Sequence, residues 1–228
     1  TVTASLTWTI AGVDYVVPIT GRRVIAFAFP PNWNRGVDET LEFKSTVSSR
    51  HDGSEQRASL RSVARRTFDY TTQLRSKEAQ RFDSALHGWH GRLFALPLWP
   101  EQTALTADVA IDGDTLACDT TNRSFEVGGL CAVFASSSQV EIREIESVSP
   151  AGLVLTSGLS AAWPIGSRVY PAVVSALTPS LSGTRLSDNL VEVPVRLTCE
   201  PSVTPANVSG VAAATYQGAE LDIDRVNW

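Results

Sequence analysis

Strict alternation of apolar and polar positions, the period of a strand with one buried face, runs through much of the chain. Residues 5–10 alternate until Gly12 breaks the pattern, and residues 14–18 and 23–29 read as two further strands. Pro30-Pro31-Asn32 stops the last of these, since adjacent prolines mark a turn or loop. Leu41, Phe43, Ser45 and Val47 share one face of the next predicted strand, which ends at a turn over His51-Asp52-Gly53. Glycine after aspartate supplies positive φ there without a steric penalty. Between Ala64 and Leu74 the alternation returns, with Arg66, Phe68, Tyr70 and Thr72 on one side and Thr67, Asp69 and Thr71 on the other.

One stretch changes period. Ser76 is placed to cap a helix, Glu78 falls in its first turn, and Phe82, Leu86 and Trp89 recur at i, i+4 and i+7, with Gly88 placed to end it. The apolar run 93–100, punctuated by Pro97 and Pro100, reads as a buried strand that ends in a bend. From about Thr106 short β runs follow one another with turns between them: 107–111, 115–119, 125–129, 130–134, 139–145, 152–155 and 163–171. Such spacing indicates a small barrel or sandwich.

The expected fold class is mainly β. A β-sandwich-like domain of residues 1–105 and 173–200 carries one short helix and an inserted small barrel over 106–172. Strands 173–177 and 190–197 return to the first sheet, and an insertion of this kind brings Leu105 close to Val173. Residues 201–228 are rich in Ser, Ala, Pro and Val without a period. They read as an extended C-terminal arm, with Leu221, Ile223, Val226 and Trp228 as apolar docking points near its end.

Composition narrows the class. With 228 residues, 43% of them apolar and 19% charged, the chain can bury a real core and is not a disordered polymer. The longest apolar runs, 24–31 and 93–100, are too short to cross a bilayer of roughly 30 Å. Three scattered cysteines, Cys118, Cys131 and Cys199, fit neither a disulfide scaffold nor a zinc knuckle and point to a reducing compartment. Cys118 and Cys131 pair only if their strands are neighbours. Charge is uneven: residues 1–100 hold 13 Lys and Arg against 9 Asp and Glu, residues 101–228 hold 6 against 15. Seventeen of the nineteen basic residues are Arg, the side chain suited to forked contacts with carboxylates. A basic half and an acidic half in one chain favour self-association, and a net charge of −5 disfavours nucleic acid.

Catalytic patterns are weak. His51-Asp52-Gly53-Ser54 holds triad residue types within one tight loop, where they cannot converge, and His87 and His90 lack a third metal ligand at a zinc spacing. Asp112, Asp114 and Asp119 lack the closing glutamate of a calcium loop. Gly158-Leu159-Ser160 has no second glycine of a nucleophile elbow, and no phosphate-cradling or dinucleotide glycine pattern occurs. The acid pairs Asp112/Asp114 and Glu144/Glu146 read as solvated strand faces. Neither an enzyme nor a cofactor or metal site is expected.

The distinctive composition lies between Leu41 and Trp99. Asp52-Gly53-Ser54-Glu55-Gln56-Arg57 is followed by Arg61, by Arg65-Arg66-Thr67-Phe68-Asp69-Tyr70, by the helix, and by Pro97-Leu98-Trp99. In this the sequence resembles minor tail and tail-tip proteins of long-tailed, siphovirus-like bacteriophages, those of distal-tail or baseplate-hub rings. A weaker likeness continues through Asp119-Thr120, Phe125, Gly128 and the stretch from Trp163 to Pro171. The resemblance implies a virion structural protein without catalytic residues, located at the tail tip and assembled in the host cytoplasm. It implies a ring of identical subunits bordered by tube, tape-measure, hub or fibre proteins. Glu55, Arg57, Arg61, Arg65, Arg66 and, at the end of the arm, Trp228 are the expected assembly contacts. The alternative is a receptor- or carbohydrate-binding module at the tail end, with Trp163 and Tyr170 as stacking platforms on an exposed barrel face.

Overall fold

The computed structural model describes residues 2–10, 13–21, 24–49, 55–61, 63–89 and 91–200. The first part of the chain forms β1 (Val2–Ile10), β2 (Val13–Gly21), β3 (Ile25–Ala26), β4 (Val37–Glu42), β5 (Ser45–Ser49), β6 (Glu55–Ser59) and β7 (Arg65–Arg75). The helix α1 (Ser76–Trp89) leads to β8 (Leu93–Pro97), a 3-10 turn at Trp99–Glu101 and β9 (Thr103–Ala104). Then come β10 (Thr115–Ala117), β11 (Leu130–Ser136), β12 (Gln139–Ser149), β13 (Gly152–Leu155), β14 (Arg168–Leu177), β15 (Thr184–Arg185) and β16 (Leu190–Cys199). The protein is mainly β with one helix among the described residues, as its alternation predicts.

Twelve strands join in one sheet along the path β10-β13-β12-β11-β14-β16-β7-β4, with β15 on β16 and with β8 and β9 on β14. The pairing is antiparallel except where β3 lies parallel to β8. The longest ladder of this sheet joins β7 to β16 and sets Phe68 opposite Leu197, Tyr70 opposite Val195 and Thr72 opposite Val193. These inward residues are buried, whereas Asp69 and Arg196, one step along, form an ion pair of 3.6 Å on the other face. Period-two chemistry thus fixes the register, because a slip of one residue would bring the charges into the core.

Buried residues fall into two clusters. The larger gathers Phe27, Phe29, Phe68, Phe82, Phe94, Trp99, Phe134 and Tyr170 with aliphatics of β8 and β16. Its rings meet edge to face, Trp99 lying 5.2 Å from Phe134 and 5.1 Å from Tyr170. The smaller gathers Leu116, Ile145, Leu153, Leu159 and Trp163 of the stretch expected to be a barrel, together with Leu105 just before it. Strands β11 and β14 belong to both: Cys131, Val133 and Val169 face the smaller cluster, and Ala132, Phe134, Tyr170 and Ala172 face the larger. A wall with a core on each side must be apolar at consecutive positions, which is why 131–134 read as an unbroken apolar run.

Several boundaries differ from the sequence reading. The segment near Leu105 closes on Ser167, whose carbonyl accepts the Leu105 N–H at 2.9 Å, while Val173 pairs with Leu96. Residues 163–171 and 173–177 do not form two strands, because β14 runs continuously through Pro171. Residues 107–111 contribute only a bridge from Val109 to Trp163, and 125–129 form a turn. Residues 41–47 split into β4 and β5, and Leu41, Phe43 and Val47 are exposed instead of lying on a buried face. The helix continues past Gly88, and Gly91, at φ +74°, takes the left-handed position beyond it. Ser76 sits in the first turn and its hydroxyl donates to Asn189, while the Glu78 carboxylate accepts the Arg75 N–H. The turn at 51–53 and the arm 201–228 lie outside the described residues.

Candidate assembly interface

The 41–66 stretch leaves the main sheet and returns to it. Strand β4 pairs with β7 from Val37–Tyr70 to Glu42–Arg65, and between them β5 and β6 form a separate two-stranded sheet, Ser45 opposite Ser59 and Ser49 opposite Glu55. The Leu60 N–H donates to the Lys44 carbonyl at 2.8 Å and closes the base of this hairpin. Of the expected contact residues, Glu55 and Arg57 lie on β6, Arg57 opposite Val47; the Arg57 side chain is outside the described residues, as is Trp228. Arg61 lies between β6 and β7, and Arg65 and Arg66 begin β7.

Their partners lie within the chain. Arg61 bonds the Glu42 carbonyl at 3.2 Å and approaches its carboxylate at 3.6 Å. Arg66 pairs with Glu39 through Nε, reaches Glu101 at 3.8 Å, and stacks its guanidinium 4.8 Å from the Phe68 ring. Glu101 also accepts the Ser124 hydroxyl at 3.0 Å, so Arg66 is the centre of a brace running from β4 to the loop before β11. Arg65, one residue away, points the other way and is exposed. The acids Glu39, Glu42 and Glu101 are not among the contact residues expected from the sequence. The available signal was the acidic run of β4, whose Glu39 and Glu42 flank a strand opposite Arg65-Arg66 once the intervening stretch is read as a hairpin.

A second polar centre supports the smaller cluster. Glu141 on β12 accepts the N–H groups of Ser160 and Ala161 at 2.7 and 3.0 Å and the Trp163 indole N–H at 3.0 Å, and pairs with Arg143 at 2.7 Å. Burial works to raise the Glu141 carboxyl, but these donors together hold it below the ordinary glutamate value. Arg143 binds the Gly158 carbonyl and the Ser160 hydroxyl, which assigns Gly158-Leu159-Ser160 a structural place. Burial pushes the thiols up, to about 11 for Cys118 and Cys199 and about 12 for Cys131, so all three are free, protonated and buried at neutral pH. Trp163 and Tyr170 are 1% and 2% exposed, so the platforms of the carbohydrate-binding alternative are absent at those positions. Among the described residues no group of three His, Cys, Asp or Glu is arranged to hold a metal ion, and no helix is long and apolar enough to cross a membrane.

What the surface does offer is apolar area on the two-stranded hairpins and at the base of the second. Tyr15, Val16 and Val17 on β2, Val47 on β5, and Leu41, Phe43, Leu60 and Val63 around the hairpin base are all exposed. Comparison with protein-family models finds no match, and comparison with curated proteins finds none either.

Proposed function

We propose that the chain is a structural subunit of a bacteriophage tail tip, part of a distal-tail or baseplate-hub ring. One observation carries this reading beyond the resemblance of residues 41–100. Two hairpins, β1–β2 and β5–β6, pair only with themselves among the described residues and carry exposed apolar side chains. A two-stranded hairpin is marginal alone in water and gains stability when another surface covers it. Subunits of a ring or tube provide that cover for each other. The adjoining proteins would be those of the tube, the tape measure, the hub or the fibres, and the place of action the virion.

The test is assembly of the full chain. Size-exclusion mass and negative-stain micrographs are expected to give closed rings that form with rising concentration. A monomer at every concentration, combined with retention on a glycan array, would replace this reading with the receptor-binding one.

A further inference from the structure

We infer that the base of the β5–β6 hairpin of one copy docks on the loops 108–114 and 159–165 of the next copy, giving a head-to-tail contact between two different surfaces of the chain. This deepens the assembly reading by naming both surfaces of the contact.

The first surface is basic and apolar. Residues 41–66 contain six Lys and Arg against three Asp and Glu; Arg61 and Arg66 are paired with Glu42 and Glu39, and Lys44 and Arg65 stand exposed at the hairpin base. At its base Phe43 is 75% exposed, and Leu41, Leu60 and Val63 are exposed in the same stretch as Lys44 and Arg65. The second surface is acidic and apolar. Residues 106–172 contain eight Asp and Glu against three Arg, and two of those, Arg123 and Arg143, bond to Asp119 and Glu141 of the same region. Here Ile111 and Ile165 are 63% and 62% exposed. Backbone bonds join their two segments, Val109 to Trp163 and Asp112 N–H to the Leu159 carbonyl, and the Asp108 carboxylate accepts the Ile165 N–H. Asp112 and Asp114 stand exposed on the same loop.

Each surface thus has the charge that the other lacks, around apolar residues that neither covers itself. They are also different places on the chain, the first beside β4 and the second leading into β10. Two different patches of one chain make a heterologous contact, which repeats from copy to copy and closes into a ring when the rotation allows. Complementary potentials fix the register and speed the encounter, while the apolar residues supply the area removed from water.

Sedimentation velocity on the full chain tests this with a charge swap. Lys44→Glu with Arg65→Glu makes the first surface acidic, and Asp112→Lys with Asp114→Lys makes the second basic. Each double variant alone is expected to self-associate at least about tenfold more weakly than the parent, and an equimolar mixture to recover association, because only unlike variants then present opposite charges. If a charge variant melts below the parent, Phe43→Ser and Ile165→Ser take its place and must weaken association likewise. Parent association undiminished in all these variants would overturn the docking surfaces and leave the ring reading standing. A parent that never associates would overturn both.

Discussion

At the scale of single residues, charge is used in two distinct ways. Arg66 is committed inside the chain, to Glu39, Glu101 and the Phe68 ring, whereas its neighbour Arg65 faces solvent. Arg66→Ala is therefore expected to lower the melting temperature by about 2–6 °C, from a loss of roughly 1–2 kcal/mol, since a hydrogen bond to a charged group contributes about that much. Arg65→Ala should leave melting within about 1 °C, as exposed charges contribute little. Differential scanning calorimetry of the two variants checks the contrast, and equal losses would refute it. Glu141 is the more demanding case, because one carboxylate satisfies three N–H groups and an Arg. Its folded form holds the proton less tightly than the unfolded chain does, so acid favours unfolding. The contribution is full above the ordinary value of 4.5 and is lost as pH falls through the lower folded value. Glu141→Gln should destabilise the parent by roughly 1–3 kcal/mol at pH 7, with the gap narrowing towards pH 3. Urea melts of both proteins across that range read the gap directly, and a gap independent of pH would assign the loss to shape and not to charge.

At the scale of elements, the sequence was legible wherever one face of a strand meets solvent. The Arg66–Leu74 alternation became β7 with the expected inward set, and Phe82 and Leu86 turned the helix onto the core. Legibility failed where a strand is buried on both faces or where its partner changes along its length. Strand β14 pairs on one edge with β11 and then β16, and on the other with β9 and then β8. Pro171 falls between its β9 and β8 ladders, so the missing N–H interrupts neither, and its carbonyl still accepts the Leu98 N–H at 2.8 Å. Without knowledge of those partners, a proline there reads as the end of a strand. Phe43 reads as buried because it is an apolar residue on a period-two pattern, whereas its side chain is exposed at the point where β4 gives way to β5. The contact acids Glu39, Glu42 and Glu101 were hidden because their Arg partners come from other elements. Gly88 was read as a helix stop, yet it lies within α1 with open space where a Cβ would stand. Gly88→Ala should therefore stabilise the protein by about 0.5–1 kcal/mol and raise its melting temperature by about 1–4 °C in the same calorimetric scan. A fall would mean that the last helical turn needs glycine for a reason other than space.

At the scale of the whole molecule, the question is whether two clusters of buried side chains make two folding units. Cutting at 106 and 172 separates them in sequence but not in space. Ala132, Phe134, Tyr170 and Ala172 lie inside those limits and pack in the larger cluster, where Phe134 and Tyr170 complete the ring contacts of Trp99. Cys131, Val133 and Val169, on the same two strands, pack in the smaller. Losing the smaller cluster would strip β11 of the side chains that hold one face, and the other face would then lose Phe134, whose burial contributes roughly 1.5–3 kcal/mol. The brace from Arg66 through Glu101 to Ser124, and the Tyr170 hydroxyl on Gln102 at 3.0 Å, join the two regions again outside the sheet. Unfolding should therefore be a single cooperative event. Trp99 reports the larger core and Trp163 the smaller, so fluorine NMR of the 5-fluorotryptophan protein can follow each through a urea titration. The two resonances should lose native intensity at the same midpoint, and Leu116→Ala, a cavity confined to the smaller cluster, should shift both midpoints equally. Midpoints that separate, with Trp99 native after Trp163 has unfolded, would mean that the larger sheet stands without its neighbour and that β11 can leave it without loss.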